Sequence, residues 1–221
     1  YLGRYETNTT PGLCRLDPNT GIGDPTPAFT YCLNLAEVEV DTKTGKTTVL
    51  KFTCVDFVGR IGNIDAVNGQ AYSGIMHGIG FALKEDYADV KKHANMFGAG
   101  TSYIKDVPDD INLIHIDGAI SDGPFGSSGA SEAFQASGHC AVLNGIYNAC
   151  GVRIHEIPAL PEKVKAGLDA IAKGEKPYEP KKYFLGSDMY EELENIKENP
   201  VQVGTQSFYV SLDDPTAERP F

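Results

Sequence analysis

A chain of 221 residues, 41% hydrophobic and 22% charged, is long enough to bury a real core in one large domain or two small ones. Thirty acidic residues against 19 basic ones leave a formal net charge of −11, which repels a phosphate backbone and sets aside non-specific nucleic-acid binding. No run of about 18 apolar residues occurs, so no membrane-spanning helix is predicted.

The chain opens on Tyr1-Leu2-Gly3-Arg4, without an initiator Met or a signal-peptide pattern, and is expected to be a piece of a longer polypeptide. Residues 1–26, rich in Thr, Pro, Gly and Asn, are predicted to form an irregular arm. Phe29 to Val40 is β-rich, and Leu35 to Val40 alternates apolar with charged residues as a half-buried strand does. A turn signal at Asp41 to Lys46 and a second β-rich run from Thr47 to Val58 complete a hairpin.

From Asn63 to Tyr87 the period changes to helical, with Ala66, Gly69, Ala71, Ile75, Ile79, Ala82 and Leu83 able to share one stripe. Gly69, Gly74, Gly78 and Gly80 are too many for a solvent-facing helix, each costing about 1 kcal/mol against Ala, and imply very close packing. Residues 95–110 are predicted as a loop and Ile111 to Ile116 as a short strand. A helix is predicted from Ser131 to Cys150 with Gly151 ending it, then a strand from Val152 to Ile157, then a short helix from Pro161 to Ala172 with proline at its favoured start. Beyond Gly174, an extended linker over residues 176–183, a small acidic helix over 188–198 and a surface tail are expected.

Cys14, Cys32, Cys54, Cys140 and Cys150 form no CxxC pair, so neither a zinc ribbon nor an iron–sulfur site is encoded, and their odd, unclustered count suits reduced thiols in the cytoplasm. No HxxxH or HxH pair appears among His77, His93, His115, His139 and His155, which leaves a histidine metal site unsupported.

Chemistry concentrates in Gly123-Pro124-Phe125-Gly126-Ser127-Ser128-Gly129-Ala130-Ser131-Glu132. Three glycines there allow backbone N–H groups to approach a ligand, and helix N-terminal amides after such a loop favour an anion. Glu132 suits a general base beside a cofactor, and equally a helix-terminal carboxylate stabilised by the dipole. Gln70, entering from a Gly/Asn-rich segment at 59–70, offers a donor and an acceptor side by side for a heterocycle edge, or serves simply as a helix residue. Ser127, Ser128 and Ser131 near His139 leave a serine hydrolase conceivable, although the loop is not a GxSxG elbow.

Two loops and their order carry a resemblance. Gly69-Gln70-Ala71-Tyr72-Ser73-Gly74 is followed by Gly78-Ile79-Gly80-Phe81-Ala82-Leu83, then Gly126-Ser127-Ser128-Gly129-Ala130-Ser131-Glu132, then Asn144 to Ile154 and Pro158 to Val164. Over residues 1–172 this resembles the C-terminal part of the molybdopterin-binding subunit of the xanthine dehydrogenase and aldehyde oxidoreductase family, the molybdenum hydroxylases. The resemblance implies an α+β fold with mixed sheets and packed helices. Residues 1–173 would be a fragment of the molybdenum-cofactor-binding domain and 174–221 the tail.

It also implies oxidation of an aldehyde or an N-heterocycle with oxygen from water. Glu132 matches the family's base at the molybdenum centre, and Gln70 matches the glutamine that bonds the pterin. Gly69 and the backbone of Ser128, Gly129, Ala130 and Ser131 would lie against the molybdenum–pterin cofactor, for which the likeness to aldehyde oxidoreductases suggests the molybdopterin cytosine dinucleotide form. The remainder of the molybdenum subunit, iron–sulfur and FAD-bearing flavin modules, and a small-molecule substrate would be the partners. Two positions depart from the family pattern: Ser131 stands where glycine is usual, and Ala133-Phe134 where Pro-Pro or Leu-Pro is usual. Ser131 favours the alternative of a non-catalytic scaffold descended from such an enzyme.

Overall fold

A computed structural model describes residues 17, 19, 23, 28–89, 91–120 and 123–175, all within one compact unit, Tyr1–Tyr178. The linker and acidic helix expected beyond residue 175, and nearly all of the arm expected over 1–26, lie outside the described residues.

The predicted hairpin forms from strands β1 (Tyr31–Val40) and β2 (Thr47–Phe57), paired antiparallel with a bulge at Glu37/Val38. Its turn is held by the Asp41 carboxylate, which accepts from the Lys43 N–H and the Thr44 hydroxyl at 2.8 Å each. Strand β3 (Asp110–His115) lies on the other side of β2 and runs parallel to it, giving the order β1-β2-β3. A parallel neighbour needs a long crossover. Here it carries helix α1 (Ile64–Leu83), the single-turn helix α2 (Met96–Ala99) and a 3₁₀ turn at Ile104–Asp106, so the segment expected as a plain loop holds two helical turns.

Alternation decides the layers. Cys32, Asn34, Ala36 and Val38 of β1 face inward while Tyr31, Leu33 and Leu35 face out. Ala71, Ile75, Ile79 and Ala82 of α1 pack on Val49, Phe52, Cys54 and Val58 of β2 in the main core. Burial of this apolar surface, at about 25 cal/mol per Å², is the main stabilising term.

The helix predicted over Ser131–Cys150 is split into α3 (Ala133–Ala136) and α4 (Gly138–Cys150), with Gly151 in the left-handed conformation as the expected stop. The break falls at Ser137, whose hydroxyl oxygen accepts from the Asn34 side-chain amide at 3.0 Å while the same amide reaches the Phe134 carbonyl at 3.2 Å. Helix α5 (Pro161–Ala172) forms as predicted. The strand expected at Val152–Ile157 does not: the segment is irregular because its partners are helices rather than a sheet edge. Val152 is buried with Ile146, Ala159 and Val164, and the Ala159 N–H donates to the Ala82 carbonyl at the end of α1 at 2.6 Å.

The close packing implied by the glycines of α1 is realised against α3 and α4. A Cβ on Gly74 would stand 2.6 Å from the Phe134 Cβ, and one on Gly78 would stand 2.9 Å from the Gly138 Cα. Gly69, one turn earlier, has no heavy atom within 4 Å of where its Cβ would be. Helix propensity alone gives both Gly74→Ala and Gly69→Ala a gain of about 1 kcal/mol. Overpacking costs about 1–3 kcal/mol in a close-packed core, so urea unfolding is expected to show Gly74→Ala destabilised and Gly69→Ala stabilised.

Candidate cofactor site

The chain leaves β2 at Val58 and passes through Gly59 and Arg60 into α1, whose N-cap Asn63 accepts from the Ala66 N–H at 3.0 Å. The second turn of α1 carries Asn68, Gly69 and Gln70, the last two exposed. The glycine-rich loop comes alongside from the far end of β3. Gly59 and Ser127 form an antiparallel bridge, the Arg60 N–H donates to the Gly126 carbonyl at 2.8 Å, and the Ser128 N–H donates to the Val58 carbonyl at 2.9 Å. The Thr30 hydroxyl meets the Ser128 hydroxyl at 2.8 Å and also donates to the Gly129 carbonyl.

Two of the three loop glycines serve the loop's own fold rather than a ligand. A Cβ on Gly123 would overlap the Ser127 carbonyl oxygen, and Gly126, at φ 83°, lies against Ala119. Gly129 alone opens outward, with no heavy atom within 4 Å of where a Cβ would stand.

The structure brings the predicted residues together at one place. The Ser131 hydroxyl donates to Gln70 Oε1 at 3.1 Å, linking the loop to α1. Among the described residues, the N–H groups of Gly129, Ala130 and Ser131 have no acceptor, and the Gln70 side-chain nitrogen has no partner. Beside the open Gly129 these three successive N–H groups are donors available to a ligand. Glu132 follows at once. It is exposed at the N-cap of α3, makes no side-chain capping bond, and its carboxylate has no partner among the described residues. Because α3 is a single turn, the anion-binding N-terminus of a long helix expected after the loop is not formed.

The serine-hydrolase arrangement is not formed among the described residues. The Ser127 hydroxyl donates to the Arg60 carbonyl at 2.5 Å, Ser128 pairs with Thr30 and Ser131 with Gln70, while His139 Nδ1 is buried without a partner. No group of three or more His, Cys, Asp or Glu side chains could hold a metal among the described residues, and no described helix is long and apolar enough to cross a membrane. Cys32, Cys54, Cys140 and Cys150 are free thiols.

One polar chain beneath the site was not predicted. Asp56, 1% exposed on β2, meets His115 Nδ1 on β3 through Oδ2 at 2.6 Å, and His115 Nε2 meets Asn68 Oδ1 on α1 at 2.7 Å. Burial pushes the Asp56 carboxyl above its ordinary value, against the opposing pull of His115. The available signal was the alternation of β2, which puts Asp56 on the same inward face as Phe52 and Cys54.

Comparison with known proteins shows which family the chain resembles. Residues 2–108 match the family model of a molybdopterin cofactor-binding domain. The chain is 44% identical over 162 residues to an aldehyde oxidoreductase of Megalodesulfovibrio gigas, covering 73% of this chain and 18% of that protein. It is 30% identical over 151 residues to a probable hypoxanthine oxidase of Escherichia coli, covering 66% and 16%. The solved aldehyde oxidoreductase of Desulfovibrio gigas superposes with a TM-score of 0.68 at 44% identity, over 72% of this chain and 18% of that one. The chain thus spans under a fifth of the length of these relatives.

The hold of Thr30 on the loop is testable. Thr30→Val keeps the shape and removes both hydroxyl contacts, and a typical net hydrogen bond contributes about 1 kcal/mol. Amide exchange at Ser128, whose N–H is bonded to the Val58 carbonyl, is expected to quicken several-fold while exchange in the strand cores stays unchanged.

Proposed function

The chain belongs to the molybdopterin-binding part of the xanthine dehydrogenase and aldehyde oxidoreductase family, and from that membership we propose that it supplies one wall of the cofactor site of a molybdenum hydroxylase. The substrate class is an aldehyde or an N-heterocycle, oxidised by two electrons with oxygen from water. The observation that carries this reading is the convergence of Gln70, the free amides of Gly129 to Ser131 and the unpaired Glu132 at one exposed place.

The residues present fit a molybdenum–pterin group. Open space above Gly69 and Gly129 admits a flat ligand close to the backbone, and the free amides suit its anionic oxygens. When bound, that group supplies the redox and oxygen-transfer chemistry. Ser131 holds the Gln70 carbonyl oxygen and so turns the Gln70 amide nitrogen toward the ligand as a donor. Serine in place of the family's usual glycine therefore finds a partner on α1. Glu132, with no competing partner among the described residues, is free to accept a proton at a carboxylate oxygen during oxidation and return it to water.

The rest of the molybdenum subunit would complete the pocket, and iron–sulfur and flavin modules would carry the electrons away. A cytosine dinucleotide form of the pterin follows from the likeness to the aldehyde oxidoreductases, and a cytoplasmic location from the free thiols.

In the full-length enzyme, Glu132→Gln is expected to lower kcat/KM for aldehyde oxidation by about 10²–10⁴-fold, the range of a general base, with molybdenum content unchanged. Turnover at the wild-type rate would reduce Glu132 to a helix-terminal residue and leave this chain a scaffold.

A further inference from the structure

The Asp56–His115–Asn68 chain lies outside the set of residues that face the cofactor, yet it ends on the residue next to Gly69 and Gln70. Its proton inventory follows from its chemistry. The Asn68 amide oxygen can only accept, so His115 Nε2 carries a hydrogen and donates across 2.7 Å. Nδ1 and Asp56 Oδ2, 2.6 Å apart, must then share one further proton, as imidazolium with carboxylate or imidazole with carboxylic acid. Either way the pair is neutral as a unit, which suits a site where Asp56 is 1% exposed and its Oδ1 has no partner among the described residues.

Such a pair adds little to core stability. Apolar residues of similar volume in place of a buried ion pair are often as stable or more so. What the pair does here is geometric. Asp56 and His115 stand opposite each other at the last rung of the β2–β3 pairing, where the Ile116 N–H also donates to the Asp56 carbonyl at 2.8 Å. A rigid rung of sheet is thereby tied to the second turn of α1, and helix rigidity carries that fix to Gln70, two residues on.

We propose that Asp56 and His115 are positioning residues for the cofactor-facing turn of α1, acting through Asn68 to hold Gly69 and Gln70 against the pterin. The inference rests on the reading of that turn as a pterin contact.

The test uses the full-length enzyme and measures molybdenum and pterin retained per protein during dialysis, beside the thermal midpoint. Asn68→Ala keeps the pair and cuts its link to α1; replacing a helical Asn by Ala does not cost helix propensity. The paired replacement Asp56→Leu with His115→Phe removes the chain and fills its volume with apolar atoms. Both are expected to lose cofactor about tenfold faster than wild type, the paired replacement with an unchanged or raised thermal midpoint. His115→Gln, which keeps a donor toward Asn68, is expected to recover part of the retention. Combining Asn68→Ala with the paired replacement should be no worse than either.

Retention at the wild-type rate in Asn68→Ala, or retention that falls only in step with the thermal midpoint, overturns the proposal. If the paired replacement does not fold, Asn68→Ala decides alone. Gln70→Ala separates the two levels. Cofactor loss there without loss in Asn68→Ala sinks only the positioning role, whereas no loss in Gln70→Ala sinks the pterin contact and this inference with it.

Discussion

The region proposed to face the cofactor depends on one close crossing, that of α1 over the α3–α4 break. Gly74 lies against Phe134 and Gly78 against Gly138, where a Cβ on Gly74 or Gly78 would come within 3 Å of the other helix. Ser131 stands three residues before Phe134, and Gln70 one helical turn before Gly74. The 3.1 Å bond between their side chains is therefore a by-product of how near the two backbones run. A hydrogen bond at that length does not survive an added ångström, so a wider crossing would part the loop from the helix and open the site along its middle.

Around that crossing the sheet supplies anchors. The Val58 carbonyl and the Gly59–Ser127 bridge fix the loop at its base, and Thr30, just ahead of β1, holds it at Ser128 and Gly129. What has no partner among the described residues is the edge formed by the amides of Gly129 to Ser131, the Gln70 nitrogen and the Glu132 carboxylate. Rigid backing with an unsatisfied front is the arrangement a preorganised binding site requires.

Much of this was legible in the residues. Alternation over Leu35 to Val40 marked β1, the helical stripe through Ala71, Ile75 and Ile79 marked α1, and proline at 161 marked the start of α5. The apolar run Val152 to Ile157 misled, because a short apolar run is the same whether it pairs in a sheet or lies against a helix. The kink at Ser137 also escaped: it is caused by Asn34, about a hundred residues away in sequence. Gln70 and Glu132 were singled out by chemical type and resemblance, but their approach through Ser131 is a product of the helix crossing and has no local signature. The Asp56–His115–Asn68 chain needed a parallel β2–β3 pairing to be known before its members could meet.

That pairing has a further consequence for folding fidelity. Strand β3 alternates, with Ile111, Leu113 and His115 inward and Asp110, Asn112 and Ile114 outward, so hydrophobicity already opposes a register shifted by one residue. A slip by one would place Ile114 opposite Asp56 and turn His115 to the outer face. The carboxyl would then sit in the core with no hydrogen-bond partner, an arrangement that costs several kcal/mol by the order of magnitude of a broken buried pair, about 3–5 kcal/mol. A single histidine thus adds its own penalty to the alternation of the strand in admitting one alignment, and the misaligned sheet is the species to look for when the protein is refolded from denaturant.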